Sequence, residues 1–236
     1  MQMNCDQHRA ILFHKQLEMS TGMKLNLKIN DNRSTMLRVR WEANCTKVSL
    51  HRMFLKAPKN IMDELACYLN REHKKLTPAI KAYIEDHVQK LDYSHELDLS
   101  LLETKGRVYD LAKMYRAINR EYFDGNLQLH ITWYGEKWKR GRTRITFGLY
   151  NDPLRLIKIH RLLDDKAIPA FVVAYVIYHE ILHHVCPPHV DKNGLKHIHS
   201  KAFKIREREF EFFLQAQQWI KENQKALFDE CYYGRS

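Results

Sequence analysis

The chain has 236 residues, with 39 lysines and arginines against 28 aspartates and glutamates, and a formal net charge of +11. Its 44% hydrophobic and 28% charged residues are typical of a packed globular protein, which excludes disordered, collagen-like and coiled-coil chains. The positive charge favours anionic partners in general but does not identify a fold.

The five cysteines are widely spread and form no CxxC pair, so the sequence predicts neither a disulfide scaffold nor a cysteine-built zinc ribbon. The N-terminal segment lacks the apolar core of a secretory signal. The longest apolar run, 168–178, is about half as long as the roughly 20 residues that a membrane span needs. We therefore expect a cytoplasmic protein with no membrane partner.

The first third of the chain is expected to contain strands followed by helices. Alternating apolar and polar residues predict strands at 24–30 and 36–41, which the turn-prone sequence DNRST would join as a hairpin. A third run, 47–54, would extend this antiparallel sheet. Helical spacing follows, and Thr77-Pro78 has the pattern of a cap with a proline in the first helical turn.

The polar stretch 92–106 predicts a boundary between an N-terminal region of strands and helices, 1–105, and a second domain, 106–236. The second domain should open with an amphipathic helix that ends at Asp124-Gly125. A small antiparallel sheet and two helices are expected to follow, with strands at 127–133, 144–150 and 155–160 and helices at 169–185 and about 200–228. No internal repeat is evident, and the predicted fold class is α+β.

One predicted helix carries the pattern HExxH, as His179, Glu180 and His183. Two histidines four residues apart project from the same face of a helix, so both imidazoles can reach one metal ion. The helix is apolar on nearly every side, and buried histidines and glutamates are costly unless they are paired or coordinate a metal. In zinc peptidases with this pattern, the glutamate takes a proton from the water that the metal activates. The sequence therefore predicts a site for one Zn²⁺ ion with Glu180 as the catalytic base.

A catalytic zinc ion needs a third protein ligand, and the sequence offers several. His199 is favoured because the polar loop after the motif is long enough to let the last helix fold back onto the HExxH helix. Glu207 or Glu209 would give a set of two histidines and one glutamate, although their charged run also fits the solvated face of an amphipathic helix. His197 and His189 are further alternatives.

The stretch from about Lys113 to Phe210 resembles the SprT-like family of zinc metallopeptidases. The matching segments are residues 117–135, 143–165, 168–184 and 199–210. The resemblance implies a zincin-like core, in which a small antiparallel sheet packs on the HExxH helix. It implies zinc ligands at His179, His183 and His199, with Glu180 as general base. It also implies proteolytic activity, which in well-known members of the family is directed at proteins attached to DNA.

A dense basic segment lies between the first two predicted strands of the second domain and contains Lys137, Trp138, Lys139, Arg140, Arg142 and Arg144. Its cations could grip phosphates while the tryptophan stacks on an unpaired base, so DNA or another polyanion is a candidate partner. The alternative is a solvated loop with a tryptophan that faces the core. Arg38 and Arg40, on an N-terminal strand, would add to such a surface if they faced the same way.

The leading hypothesis is a zinc-dependent endopeptidase that acts on a protein substrate, including proteins associated with nucleic acid. The alternative is a nucleic-acid-binding protein with a structural zinc ion and no peptidase activity. Such a site would be closed by a fourth ligand, for which Cys186 and His189 are candidates. A third hypothesis is another hydrolytic reaction on the same zinc site.

Overall fold

The computed structural model describes residues 5–32, 35–135 and 146–233 of the chain. These residues form helices and three small sheets, so the predicted α+β class is confirmed. The chain divides into two compact units, which we call unit 1 (1–88 and 189–197) and unit 2 (89–188 and 198–236). The predicted domain boundary after residue 105 stays a prediction. None of the helices described is long and apolar enough to span a membrane.

The helices and strands of the described residues are numbered in chain order. They are α1 (Cys5–Thr21), β1 (Leu25–Asn30), β2 (Leu37–Trp41), β3 (Thr46–His51), α2 (Lys59–Leu69), α3 (Pro78–Val88), α4 (Leu111–Phe123), β4 (His130–Tyr134), β5 (Gly148–Asn151), β6 (Leu156–His160), α5 (Ala170–Val185), β7 (His189–Val190), β8 (Lys196–His197), α6 (Lys201–Glu207) and α7 (Phe213–Tyr233). Short 3₁₀ turns follow β3 and β6.

The sheet of unit 1 has the strand order β1-β3-β2. β3 pairs in parallel with β1 and antiparallel with β2. The predicted hairpin between the first two strands is therefore wrong, because the third strand lies between them. The burial pattern gives the physical reason: Val48 and Leu50 of β3 are almost completely buried, and the central strand of a sheet is the one that both neighbours shield.

The core of unit 1 is built by the sheet and its helices. α1, which the sequence patterns did not predict, packs against α2 and β1 and buries Phe13 and Leu17. Leu65 and Leu69 of α2 are fully buried. Each such side chain contributes about 1.5–3 kcal/mol through the apolar area it removes from water. The β7–β8 hairpin packs on α3.

The sheet of unit 2 has the order β4-β6-β5, so its last strand is again central. β5 and β6 form an antiparallel hairpin across the turn-prone sequence Asn151-Asp152-Pro153. β4, however, runs parallel to β6, so the expected all-antiparallel sheet is wrong and the sheet is mixed. Ile157 and Ile159 of β6 are fully buried, which again places the most apolar strand in the centre.

Units 1 and 2 repeat one order of elements: a helix, three strands with the third in the centre, a 3₁₀ turn and a second helix. In both units the 3₁₀ turn is capped by a histidine. His51 Nδ1 accepts a hydrogen bond from the backbone N–H of Met53 at 3.1 Å, and His160 Nδ1 accepts one from Leu162 at 3.1 Å. A proline is the N-cap residue of both α2 and α5. The structure thus contains a repeat that the sequence patterns did not reveal.

The single long helix predicted from about residue 200 to 228 is wrong, because the chain turns between α6 and α7. Phe210 lies in this turn, is 4% exposed, and packs its ring against Tyr122, Tyr175 and Tyr178. The buried ring holds this turn against the core of unit 2. α6 and α7 can then contact α5 separately.

Candidate metal centre

α5 is the central helix of unit 2 and carries the HExxH residues in its last two turns. It packs against α4, α6, α7, β5 and β6, which explains why its side chains are apolar on nearly every side. His179 and His183 are one helical turn apart and only partly buried. The sheet and the neighbouring helices therefore fix the helix, while its two histidines keep access to solvent.

His199 comes from the segment that leads into α6. Ser200 is the N-cap residue of this helix, and its hydroxyl accepts a hydrogen bond from the backbone N–H of Phe203 at 3.2 Å. Ser, like Asp and Asn, is favoured at this position because it satisfies a free N–H at the helix start. The cap, one residue after His199, fixes where α6 begins. Because α6 packs on α5, His199 is held close to the HExxH helix.

The structure brings His179, His183 and His199 together. One ring nitrogen from each of the three lies within 4.8 Å of the other two. The ring centroids are 5.1 Å apart in all three pairs. Three imidazoles that converge in this way are the protein ligand set of a catalytic zinc site with one open position. The donor set therefore fits Zn²⁺.

Phe203 packs against all three imidazoles. Its ring centroid is 5.1 Å from that of His179, 4.9 Å from that of His183 and 4.7 Å from that of His199, and its side chain is fully buried. The phenyl ring gives the histidines an apolar support that limits their rotation. Sequence reasoning missed this residue, although its position four residues after His199 on an expected helix was a usable signal.

Burial keeps the histidines in the form that can bind a metal. It lowers the pKa of His183 to about 4 and also lowers the pKa of His199. The neighbouring imidazoles act in the same direction, because a second positive charge nearby disfavours protonation. At neutral pH both rings are neutral and present a lone pair, so protons compete little with a cation for this site.

Glu207 orients the first of these histidines. Its Oε1 lies 2.7 Å from His179 Nδ1 and also accepts a hydrogen bond from the Tyr175 hydroxyl at 2.8 Å. Burial opposes ionisation of Glu207, but the hydrogen bonds from His179 and Tyr175 outweigh it and hold the pKa of this carboxyl below its ordinary value. A carboxylate on Nδ1 fixes the tautomer that leaves Nε2 free for a metal. Glu207, which the sequence offered as an alternative ligand, thus lies behind the imidazole of His179.

Glu180 is 5% exposed and lies against β5. Burial raises the pKa of its carboxyl from 4.5 to about 7, while the neighbouring His179 and the backbone N–H of Tyr150 act in the opposite direction. Gly148 allows this close approach, because a Cβ at that position would lie 2.5 Å from Glu180 Oε1. No sequence pattern predicted this contact, because it joins residues that are distant along the chain.

The other sequence candidates lie apart from this group. Among the described residues, the group of convergent ligands contains three members, and Glu209, His189 and His197 do not belong to it. His197 Nε2 lies 3.0 Å from Asp191 Oδ2, and its ring stacks on that of His189 within unit 1. The basic segment with Lys137, Trp138, Lys139, Arg140, Arg142 and Arg144 lies outside the described residues. Its predicted role in binding nucleic acid stays a prediction.

Comparisons with known proteins add no relative. The sequence matches no protein-family model, and no curated protein or solved structure matches it.

Proposed function

We propose that the chain is a zinc-dependent endopeptidase of the SprT-like type, with a zincin-like core in unit 2. The observation that carries the proposal is the convergence of His179, His183 and His199 beside the buried carboxyl of Glu180. The third histidine is exposed, so the group of ligands opens to solvent on that side. Openness on one side is the property that distinguishes a catalytic zinc site from a closed structural one.

A zinc ion held by the three imidazoles would polarise a peptide carbonyl and lower the pKa of a water molecule. Glu180 would accept a proton from the attacking water and pass it to the amine of the leaving peptide. A carboxyl with a pKa of about 7 suits both transfers at neutral pH, because a general base works best when its pKa lies near the working pH. Gly148 and the N–H of Tyr150 hold the carboxylate in place.

The experiment combines zinc analysis of the purified chain with a casein cleavage assay on wild type and Glu180→Gln. We expect about one zinc ion per chain in both proteins, because glutamine leaves the three imidazoles in place. Cleavage should fall by a factor of about 10²–10⁴ in the variant, the usual contribution of a general base. Glu209→Gln is the matched control, because that carboxylate is exposed and outside the group of ligands.

Two results would contradict the proposal. Unchanged cleavage by Glu180→Gln would remove the assigned mechanism, and a wild-type chain that binds zinc but cleaves no protein would remove the activity. The second result would favour the structural-zinc alternative. That alternative requires a fourth ligand, and neither Cys186 nor His189 joins the group of three among the described residues.

A further inference from the structure

The outer face of the unit-1 sheet carries four cations, which we call the basic face: Lys28, Arg38, Arg40 and Lys47. All four side chains are exposed, and together they line a shallow concavity of about 270 Å³. The strand register places them side by side. Lys28 and Arg38 both pair with Ser49 of the central strand, and Arg40 pairs with Lys47. Side chains at paired positions share one face about 5 Å apart, so the charges form a single patch.

The described residues around the concavity offset little of this charge. The other described residues that line the concavity are Asn26, Val48 and Ser49, none of which is acidic. Glu42 reaches Lys47 at 2.8 Å from the β2–β3 turn. The described residues around the concavity thus set the carboxylate of Glu42 against four cations, and like charges on directly opposite strand positions destabilise a sheet. A bound polyanion would relieve this repulsion.

The second unit shows that this kind of sheet does not need such charges. When the sheets are matched by register and by the capping histidines, the positions of the four cations correspond to Thr132, Leu149, Asn151 and Leu156 of unit 2. None of these four residues is charged, and Lys158 takes the place of Ser49 on that face. The same strand order therefore forms without a group of four cations, so the cations of unit 1 need an explanation other than folding.

We propose that the basic face binds the sugar–phosphate backbone of double-helical DNA. Arginine presents a planar fork that matches a phosphate, and lysine adds a compact charge. No aromatic side chain occurs among the described residues that line the concavity, so the stacking platform of a single-strand binder is missing there. The lining also offers no exposed apolar side chain of the kind that enters a lipid surface. Binding should therefore be independent of base sequence and strongly dependent on salt.

The experiment measures fluorescence anisotropy of a labelled 20-base-pair DNA duplex with the full chain. The protein carries Glu180→Gln, and EDTA is present, so the result does not depend on peptidase activity. We expect Arg38→Glu/Arg40→Glu to weaken binding at least about tenfold at moderate salt, equally for duplexes of different sequence. The milder Arg38→Gln/Arg40→Gln should lower the slope of log affinity against log salt by about 2, because two phosphate contacts are lost.

Lys74→Glu/Lys75→Glu is the matched control, since it changes the net charge equally at exposed positions away from the sheet. Its affinity should stay close to that of the parent protein. Equal loss in the control would overturn the proposal, because net charge alone would then explain binding. The proposal also fails if Lys137→Gln/Lys139→Gln/Arg140→Gln abolishes binding while the sheet variants retain it. Binding to anionic vesicles without binding to DNA would overturn it as well.

Thermal unfolding of each variant accompanies the binding assay. The glutamine variants remove charge repulsion without introducing acids into the sheet, so they test the proposal even if the glutamate pair does not fold. Failure of cleavage by the wild-type chain would leave DNA binding unaffected. Loss of DNA binding would likewise leave the zinc site and its cleavage assay unchanged. Each proposal can therefore be refuted without refuting the other.

Discussion

Units 1 and 2 share one order of elements but carry different side chains on it. In each, the third strand is central, a histidine caps the 3₁₀ turn and a proline precedes the second helix. When positions are counted from these two prolines, the places of His179, Glu180 and His183 are taken in unit 1 by Tyr68, Leu69 and Glu72. The shared scaffold therefore does not by itself produce the histidine cluster of unit 2.

The contrast extends to the strand beside the second helix. By register, Gly148 of β5 corresponds to Leu37 of β2, since each is paired with the residue just before the capping histidine. Unit 2 thus has a glycine and a buried glutamate where unit 1 has two leucines. Leu69 is fully buried and stabilises its unit, whereas a buried carboxyl is costly unless it is used. Unit 1 keeps the same architecture with apolar side chains at these two positions. The four cations of its basic face lie on the opposite face of the sheet.

The largest expected effect comes from removing the third ligand. We expect His199→Ala to weaken zinc binding about a thousandfold, because an open three-histidine site loses a third of its protein ligands. His197→Ala should leave zinc affinity unchanged, since His197 pairs with Asp191 in unit 1. Competition with a fluorescent zinc chelator measures both affinities. The reverse ranking would show that His197 is the third ligand.

The next effect concerns the stability of the metal-free chain. The pKa of Glu180 is about 7 in the folded protein and 4.5 in the unfolded chain, so the folded state holds its proton more tightly. The resulting stabilisation is fully present below pH 4.5 and is lost as pH rises through 7. It amounts to roughly 3 kcal/mol. Glu180→Gln should lack this loss and be less sensitive to pH.

Urea unfolding in EDTA at pH 4.5, 6 and 8 measures this difference. Comparing wild type with the glutamine variant cancels the titration of other groups. A stability difference that does not change between pH 4.5 and pH 8 would show that the carboxyl of Glu180 is not held in an apolar environment.

The glycine beside Glu180 provides a test of catalytic geometry. Gly148→Ala adds a Cβ that would meet the carboxylate at 2.5 Å, so Glu180 must move. A displacement of about 1 Å at a catalytic group typically costs about a hundredfold in rate, and we expect that loss of casein cleavage with zinc affinity retained. Leu37→Ala at the matching position of unit 1 should lower stability and leave cleavage by the folded protein intact. Equal effects on cleavage would contradict the role of Gly148.

The sequence predicted what depends on neighbours along the chain. The spacing of His179 and His183 follows from one helical turn, and the choice of His199 followed from the reach of a loop. The order of the strands in each sheet could not be predicted from the sequence, because hydrophobic alternation identifies strands without revealing which strand becomes central. The approach of Gly148 to Glu180 depends on the placement of a strand against a helix. The position of Glu207 behind His179 depends on how α6 packs, which the sequence does not show. Glu207 was therefore a candidate ligand at the level of the sequence.

A smaller effect is expected from the carboxylate behind His179. Glu207→Gln should weaken zinc binding about 10–100-fold, the usual consequence of losing the group that orients a ligating imidazole. Glu207→Asp keeps the charge but shortens the reach to Nδ1, which lies 2.7 Å away in the native protein. The zinc affinity of Glu207→Asp should lie between that of the wild type and that of Glu207→Gln. If Glu207 were itself a ligand, the loss would match that of His199→Ala, so the same chelator competition distinguishes the two roles.

The smallest effect tests whether the two units are built alike. His51 and His160 each accept a backbone N–H with Nδ1, and asparagine can supply the same kind of acceptor. We expect each alanine variant to be less stable than the asparagine variant at the same position by about 1 kcal/mol, the usual cost of a lost cap. Hydrogen exchange of the Met53 and Leu162 amides reports each cap directly. Protection should fall at Met53 alone in His51→Ala and at Leu162 alone in His160→Ala. If only one amide responds to its own substitution, the capped turn is not the shared feature of the two units, because the other unit then holds its turn by packing.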